Sequence, residues 1–301
     1  MHRLALLLAL ALPACGPLKR AAVDTVVASR RADAGFETRA ATVDGRRVAY
    51  LERSGAEPAL VLLHGFGAQK DVWLELGAAL DGRRLLAPDL PGHGDSDRGP
   101  GAYDAERLAA ELGSWLDAIA PGPVALGGNS LGGELAARLA LRRPAQTRAL
   151  VLLAPAGVES PAPAALADSL RAGANPLIPT TRGAFDELVD FAYEVPPDLP
   201  GLARDVLAAD TRRRAPFLRE LFAALGPRGL EERLPQIDAP ALVVWGAQDR
   251  VLDPSAAPVW ADALGAELTV LPGVGHVPMM EAPDEVAELT RRFLARAAPT
   301  R

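Results

Sequence analysis

The stretch Gly128-Asn129-Ser130-Leu131-Gly132-Gly133 decides the fold. It follows the apolar run 124–127 and precedes an amphipathic pattern at 131–143, which predicts a sharp turn from a buried strand into a helix. Glycines stand two residues either side of Ser130, where side chains would clash with neighbouring backbone. The turn would present the serine hydroxyl at a helix N-terminus, where the helix dipole favours negative charge. The alternative interpretation is a serine that only caps the helix.

The rest of the chain after residue 40 alternates between strand and helix patterns. Apolar runs without alternation are typical of strands that are covered on both faces. The runs are 59–63, 84–87, 124–127, 149–153, 241–245 and 267–271, and the helical patterns are 71–81, 103–119, 131–143, 256–264 and 283–297. A turn at Asp44-Gly45 predicts a hairpin over residues 42–50. We therefore predict an α/β fold with a mostly parallel central sheet and helices on both faces.

Residues 157–235 break this alternation, because they contain several helical patterns and many prolines but no strand pattern. Four of the seven phenylalanines fall there: Phe185, Phe191, Phe217 and Phe222. We interpret 157–235 as a helical cap inserted into a core that comprises 40–156 and 236–298.

A serine hydroxyl is a weak nucleophile unless a base takes its proton. His276 follows the last predicted strand in Pro272-Gly273-Val274-Gly275-His276, at the sheet edge where ligands gather in open α/β sheets. Asp249 follows the strand at 241–245 and is our candidate to orient the imidazole. Asp253 is the alternative, although a helix N-cap is its simpler role. The order Ser130, Asp249, His276 is the one that this type of turn requires.

Backbone N–H groups are the expected donors to a developing oxyanion. The glycine-rich segment His64-Gly65-Phe66-Gly67 follows a buried strand, and the N–H groups of Phe66 and Leu131 are the candidate pair. The position of His64 also suits a second general base, but we expect its side chain to stabilise the conformation of the loop. The segment 89–97 contains Asp, His and Ser side chains that we expect to form structural hydrogen bonds.

The N-terminus has the pattern of a secretory signal. A short basic start precedes nine apolar residues at 4–12, a run too short to cross a bilayer. Leu12-Pro13-Ala14-Cys15 resembles the lipobox of bacterial lipoproteins, in which the signal is cleaved before a cysteine that becomes lipidated. We therefore expect a signal peptide at 1–14 and a lipid-anchored tether and N-terminal segment at 15–39. An ordinary signal peptide or a short N-terminal anchor are the alternatives.

Composition excludes several classes of protein. The 301 residues are 49% hydrophobic and 23% charged, which argues against a disordered or fibrous chain. The net charge of −6 argues against nucleic acid as a partner. Cys15 is the only cysteine, so no intramolecular disulfide forms. Four scattered histidines give no pattern of a metal site.

These motifs together resemble the α/β-hydrolase family, from about residue 40 to residue 298. The resemblance rests on five segments: His64-Gly65-Phe66-Gly67, Asp89-Leu90-Pro91-Gly92-His93-Gly94-Asp95-Ser96, 128–133, 245–249 and Gly275-His276. It implies that Ser130 is the nucleophile, His276 the base and Asp249 its orienter, and that residues 157–235 cover an acyl pocket. Phe66 and the four cap phenylalanines are candidate pocket residues.

Within the family, the segment 64–73 resembles small bacterial lipases and esterases, so we expect a cell-envelope serine hydrolase that cleaves carboxylic esters without cofactor or metal. Its substrate would be a small ester or a lipid. The protein would face the periplasm or be an outer-membrane lipoprotein, or be secreted if Cys15 is not lipidated. Carbon–carbon bond hydrolases, acyltransferases and peroxidase-like members share the triad and remain alternatives, as does a non-catalytic envelope binding protein. Ser130 disfavours dehalogenases and epoxide hydrolases, which use an aspartate.

Overall fold

A mixed sheet forms the centre of the protein. In the computed structural model, residues 16–80, 82–225 and 229–297 are described, and they contain eight strands in one sheet. The strands are β1 (Glu37–Val43), β2 (Arg46–Arg53), β3 (Ala56–Leu63), β4 (Arg83–Pro88), β5 (Val124–Asn129), β6 (Thr147–Leu153), β7 (Ala241–Gly246) and β8 (Glu267–Leu271). Their order is β1-β2-β4-β3-β5-β6-β7-β8, and β2 is antiparallel to β1 and β4 while the other pairs are parallel.

Helices cover both faces of this sheet. They are α1 (Gly16–Asp33), α2 (Leu74–Ala79), α3 (Ala105–Ile119), α4 (Leu131–Arg142), α5 (Ala165–Arg171), α6 (Arg182–Ala192), α7 (Gly201–Ala224), α8 (Ala256–Leu264), α9 (Pro278–Glu281) and α10 (Pro283–Ala297), with short 3-10 helices at Lys70–Trp73 and Leu234–Gln236. Apolar residues of α3, α4 and α8 pack on one face, and those of α2 and α10 pack on the other. The predicted α/β fold with a mostly parallel sheet is confirmed.

The central strands are apolar without alternation because each face of the sheet has its own core. In β3, Val61 and Leu63 lie in the first core, whereas Leu60 and Leu62 lie in the second. Successive side chains of a strand point to opposite faces, so a strand buried on both sides needs apolar residues at every position. The same division holds along β7. The prediction that the run 267–271 is covered on both faces is wrong, because β8 lies at the edge of the sheet and only its Leu271 is buried.

Most element boundaries agree with the sequence patterns, and two differences have local causes. The predicted helix at 71–81 is a 3-10 turn followed by α2, which ends at Ala79 because Leu80 is extended, with φ −94° and ψ 97°. The pattern at 103–119 begins as a helix only at Ala105, since the Asp104 carboxylate accepts a hydrogen bond from the Arg107 N–H and caps it. The predicted Asp44-Gly45 hairpin turn joins β1 to β2, with positive φ at both residues.

The insertion between β6 and β7 is helical, as the sequence indicates. Its described residues form α5, α6 and α7 and no strand. Residues of α7 join the core on the sheet face of α3 and α4, whereas Phe185 and Val189 of α6 form a small separate cluster with Ala208 of α7. Leu166 of α5 and Phe191 of α6 also join or pack against that core, so all three helices of the insertion contact it.

The N-terminal segment is more ordered than a tether. Of the predicted segment 15–39, residues 16–33 form α1, and β1 begins at Glu37. Ion pairs fix this helix at both ends, from Lys19 to Asp205 of α7 at 3.1 Å and from Arg31 to Asp71 at 2.6 Å. The predicted signal peptide and Cys15 lie outside the described residues. None of the helices in the described ranges combines the length and apolarity that a membrane span requires.

Candidate active site

Ser130 lies on a sharp turn between β5 and α4, at the carboxyl edge of the parallel strands. Its backbone has φ 55° and ψ −121°, a region that residues with a side chain rarely adopt. A Cβ on Gly128 would overlap the carbonyl of Gly132, and a Cβ on Gly132 would overlap the carbonyl of Leu63. Glycine is therefore required at both positions. Strained backbone of this kind costs free energy and persists only where the surrounding packing holds it in place. It is found most often at functional sites.

Asp249 and His276 are in direct contact. The Asp249 Oδ2 lies 2.7 Å from the His276 Nδ1, and both side chains are buried. The other carboxylate oxygen, Oδ1, accepts hydrogen bonds from the N–H groups of Val251 and Leu252 at 2.8 and 2.9 Å. Since an ionised carboxylate only accepts, Nδ1 carries the proton in this contact and Nε2 of a neutral ring is an acceptor.

Asn129 links the serine turn to the histidine loop. Its Nδ2 donates to the carbonyl oxygens of Leu153 and His276, both at 3.0 Å. The residue before the serine thus holds the backbone of His276 beside the end of β5. This role of Asn129 was not predictable, because no local sequence pattern indicates a contact between residues that are 147 positions apart.

The loop after β3 lies against the serine turn. A Cβ on Gly65 would lie 3.3 Å from the Cβ of Ser130, so a larger residue there would press on the serine. The N–H groups of Phe66 and Leu131 donate no hydrogen bond to any described part of the chain. Buried or half-buried backbone N–H groups are normally paired. Two unused donors beside Ser130 are therefore suited to an external acceptor.

His64 is a structural residue rather than a second base. It is fully buried, its Nδ1 donates to the Gly65 carbonyl at 2.9 Å, and its Nε2 accepts from the Leu90 N–H at 2.9 Å. Burial lowers the pKa of His64 to about 3. His93 is also fully buried and accepts from the Gly67 N–H at 3.3 Å, and burial, followed by the charge of His64, lowers the pKa of His93 to about 3. These neutral rings fix the loops around Ser130.

Acid should destabilise the fold through these two histidines. Their folded pKa values lie below the ordinary 6.5, so the unfolded chain binds more protons and stability falls as the pH drops. Between about pH 6.5 and 4.5, above the ordinary carboxyl pKa values, each histidine contributes a slope of about 1.4 kcal/mol per pH unit. Urea unfolding at several pH values should show this slope, and His93→Gln should remove about one histidine's share. An unchanged slope in that variant would contradict the assignment.

The segment 89–97 also has the structural role that the sequence suggests. The buried Asp89 carboxylate accepts from the Lys70 Nζ at 2.6 Å and from the N–H of Asp95 at 2.8 Å. Lys70 is one of only two lysines, and its Nζ also contacts Asp95 at 2.7 Å. Ser96 Oγ donates to the Asp89 carbonyl at 2.9 Å. These bonds tie the segment to the 3-10 turn that follows the loop at 64–67.

The candidate pocket phenylalanines do not form one group. Phe66 and Phe222 are in edge-to-face contact, with ring centroids 5.7 Å apart. Phe217 packs against His93 at 5.5 Å, Phe185 lies in the separate cluster between α6 and α7, and Phe191 packs against the main core. Only Phe66 and Phe222 are thus brought together beside the loop at 64–67.

Two further charged residues hold the cap to the histidine loop. Glu281 accepts hydrogen bonds from the N–H groups of Gly275 at 3.0 Å and Glu194 at 2.8 Å. Arg250, next to Asp249, donates to the Asp190 carbonyl at 2.7 Å and pairs with Glu194. The contacts with Asp190 and Glu194 were not predictable from the sequence, because they join segments that are distant along the chain.

Asp253 is not in contact with the imidazole. Its Oδ1 accepts from the Ser255 N–H at 2.9 Å, in a turn just before α8. Ser255 directly precedes α8 but its side chain makes no capping bond, so the bond from Asp253 agrees with the capping role that the sequence predicts. Within the described ranges, no group of three or more His, Cys, Asp or Glu side chains is arranged to hold a metal ion.

Comparisons with known proteins agree on one family. Residues 60–289 match the model of the alpha/beta hydrolase family. The chain is 31% identical over 286 residues to monoacylglycerol lipase abhd6-B of Xenopus laevis, covering 88% of this chain and 84% of that protein. It is 31% identical over 260 residues to Lipase 1 of Psychrobacter immobilis, covering 83% and 81%.

A solved structure is similar over nearly the whole chain. It is the crystal structure of a membrane phospholipase A described as a bacterial virulence factor, with a TM-score of 0.90 and 36% identity. The alignment covers 99% of both chains. The similarity therefore includes the cap and the N-terminal helix as well as the sheet.

Proposed function

The chain belongs to the α/β-hydrolase family, and from this membership we propose that it cleaves carboxylic esters of lipids with Ser130 as the nucleophile. It is an ester hydrolase of the serine type, as the lipases and esterases among its relatives indicate. The observation that carries the assignment to Ser130 is its strained turn, which lies directly against a loop with an unused N–H donor.

The proposed mechanism has two steps. His276 Nε2 takes the proton of the Ser130 hydroxyl while its oxygen attacks the ester carbonyl. The carbonyl oxygen becomes an oxyanion that accepts hydrogen bonds from the N–H groups of Phe66 and Leu131. Protonated His276 then gives its proton to the leaving alcohol. Asp249 stabilises the imidazolium through the 2.7 Å contact at Nδ1.

The second step returns the enzyme to its starting state. A water molecule gives its proton to His276 and attacks the acyl-serine, and the same pair of N–H donors stabilises the second oxyanion. His276 then returns the proton to the Ser130 oxygen, and the fatty acid leaves. Apart from the substrate and the water molecule, every group in these two steps belongs to the chain. The proposed mechanism therefore uses no cofactor.

We propose a lipid rather than a small soluble ester as the substrate. Three similar proteins support this proposal: a monoacylglycerol lipase, a lipase and a membrane phospholipase A. The contact between Phe66 of the core and Phe222 of the cap supplies apolar surface beside the serine. An acyl chain is the substrate group that gains most from such surface.

We also propose that the protein acts at a membrane in the cell envelope. The apolar run at 4–12 and the lipobox pattern ending in Cys15 support an N-terminal lipid anchor. Two acyl chains or more bind a protein to a bilayer firmly, whereas a single chain binds it only weakly. Mass spectrometry of the N-terminal peptide from membrane fractions tests this, since a Cys15→Ser variant should lack the lipid.

A fluorophosphonate probe tests the assignment of the nucleophile. Such probes form a covalent bond with an activated serine, so the folded full-length protein should be labelled on Ser130, and Ser130→Ala should not be labelled. Ser96→Ala is a matched control, because Ser96 donates to the Asp89 carbonyl and should leave labelling intact. Labelling of another serine would overturn the assignment to Ser130, and no labelling at all in folded protein would favour a non-catalytic binding protein.

A further inference from the structure

Arg214 of α7 is half-buried, and part of its guanidinium group is buried without a partner. Its Nη1 has no accessible surface and no hydrogen-bond partner within the residues that the structure describes. No carboxylate of those same residues lies within 4.0 Å of the guanidinium. Burial lowers the pKa of Arg214. A buried N–H donor without a partner costs free energy, so the position calls for an explanation.

The neighbouring carboxylates are already engaged by other cations. Asp210, one turn earlier on α7, pairs with Arg20 and Arg213. Asp89 pairs with Lys70 and accepts two backbone N–H bonds. The buried N–H of Arg214 is therefore available to a group that the described residues do not supply.

The Arg214 side chain faces the loops beside Ser130. Leu218 lies four residues further along α7, on the same helix face, and a Cβ on Gly67 would lie 3.6 Å from its Cδ1. The charge of Arg214 also contributes to lowering the pKa of His64 and of His93. Gly67 is one residue from Phe66, so the helix face that carries Arg214 and Leu218 lies against the loop that supplies one of the proposed oxyanion donors.

We propose that Arg214 binds the phosphate group of a glycerophospholipid whose ester carbonyl lies at Ser130. This inference rests on the proposed function as a lipid ester hydrolase. In a glycerophospholipid the phosphate and the ester are attached to the same glycerol unit, so two nearby subsites are needed. The fork of N–H donors on a guanidinium fits phosphate oxygens. A fatty acid product has its carboxylate at the reacting carbon itself, which makes it a poorer match to a second position.

The test compares two lipids that differ only in the phosphate headgroup. We would measure kcat/KM for 1-oleoyl-lysophosphatidylcholine and for 1-oleoylglycerol, with the full chain in dodecyl maltoside micelles. Arg214→Gln should lower the ratio of the two values by about 10- to 100-fold, as expected for the loss of a charge-assisted hydrogen bond. Arg214→Lys, which keeps the charge but loses the fork, should give an intermediate ratio.

Arg213→Gln is the matched control, because Arg213 is adjacent, its side chain is 70% exposed and it pairs with Asp210. Arg213→Gln should leave the ratio within about twofold of the wild-type ratio, since an exposed ion pair contributes little to stability. Thermal unfolding should show that Arg214→Gln is no less stable, because the substitution removes a partly buried charge that has no partner among the described residues. A clear loss of stability would indicate that Arg214 has a structural partner and would overturn the proposal.

Further outcomes separate this proposal from the proposed function. An unchanged ratio in Arg214→Gln overturns the phosphate subsite while lipid hydrolysis stands. If the variant relieves inhibition by oleate but keeps the ratio, the bound anion is a carboxylate and the proposal is wrong. If neither lipid is cleaved although p-nitrophenyl butyrate is, the lipid substrate is wrong. In that case the phosphate subsite is tested by the inhibition of p-nitrophenyl butyrate hydrolysis with an ether analogue of lysophosphatidylcholine. Arg214→Gln should weaken this inhibition about tenfold or more.

Discussion

Replacing Ser130 with alanine is expected to lower kcat for ester hydrolysis by about 10⁶. Alanine has no oxygen to attack the carbonyl, so no acyl-enzyme forms and the histidine has no proton to take. The residual rate would come from the N–H groups of Phe66 and Leu131 acting on bound substrate. Steady-state hydrolysis of a p-nitrophenyl ester by purified variant and unchanged protein measures the effect.

Adding His276→Ala to Ser130→Ala should cost little more. Nucleophile and base act as a unit, so removing either one abolishes the same step. Losses that multiply in the double variant would show that the two residues act in separate steps, and the triad assignment would then be wrong. Alanine at φ 55° has the same backbone strain as serine, so we expect the variants to keep the fold. Circular dichroism of each variant checks this.

The sheet was predictable from the sequence because burial on both faces leaves a local pattern. The run 241–245 lies within β7, which is buried throughout, and the helical pattern at 256–264 agrees with α8 at both ends. The positions of Ser130, Asp249 and His276 could be predicted for a related reason, since each follows a strand and parallel strands bring their carboxyl ends to one edge.

The contacts that support this edge left no such pattern. Asn129 bonds to the His276 carbonyl across 147 positions, and Glu281 bonds to Glu194 across 87. The unpaired charge of Arg214 is also invisible in the sequence, because an arginine among the arginines of α7 has the pattern of a solvated helix face. Only the three-dimensional arrangement distinguishes it from Arg213, which is exposed and paired.

Replacing Asp249 with asparagine should lower kcat by about 10⁴ although the side chain keeps its shape. The Oδ1 of Asp249 accepts from the N–H groups of Val251 and Leu252, and in the variant only the amide oxygen can take that place. The amide NH₂ would then face His276 Nδ1, where it is a donor. Nδ1 would have to accept, so the ring proton would move to Nε2, which could no longer take the proton of Ser130.

Asp253→Asn distinguishes this effect from a general loss of negative charge. Asp253 lies four residues from Asp249, and its Oδ1 accepts from the Ser255 N–H, a bond that an amide oxygen also makes. This variant should therefore keep kcat within about twofold. If Asp249→Asn kept more than a tenth of the activity, or if Asp253→Asn lost as much, then Asp249 would not orient the base. Because the amide orientation is set by two backbone N–H groups, the prediction depends on the geometry around Asp249 and not on its charge alone.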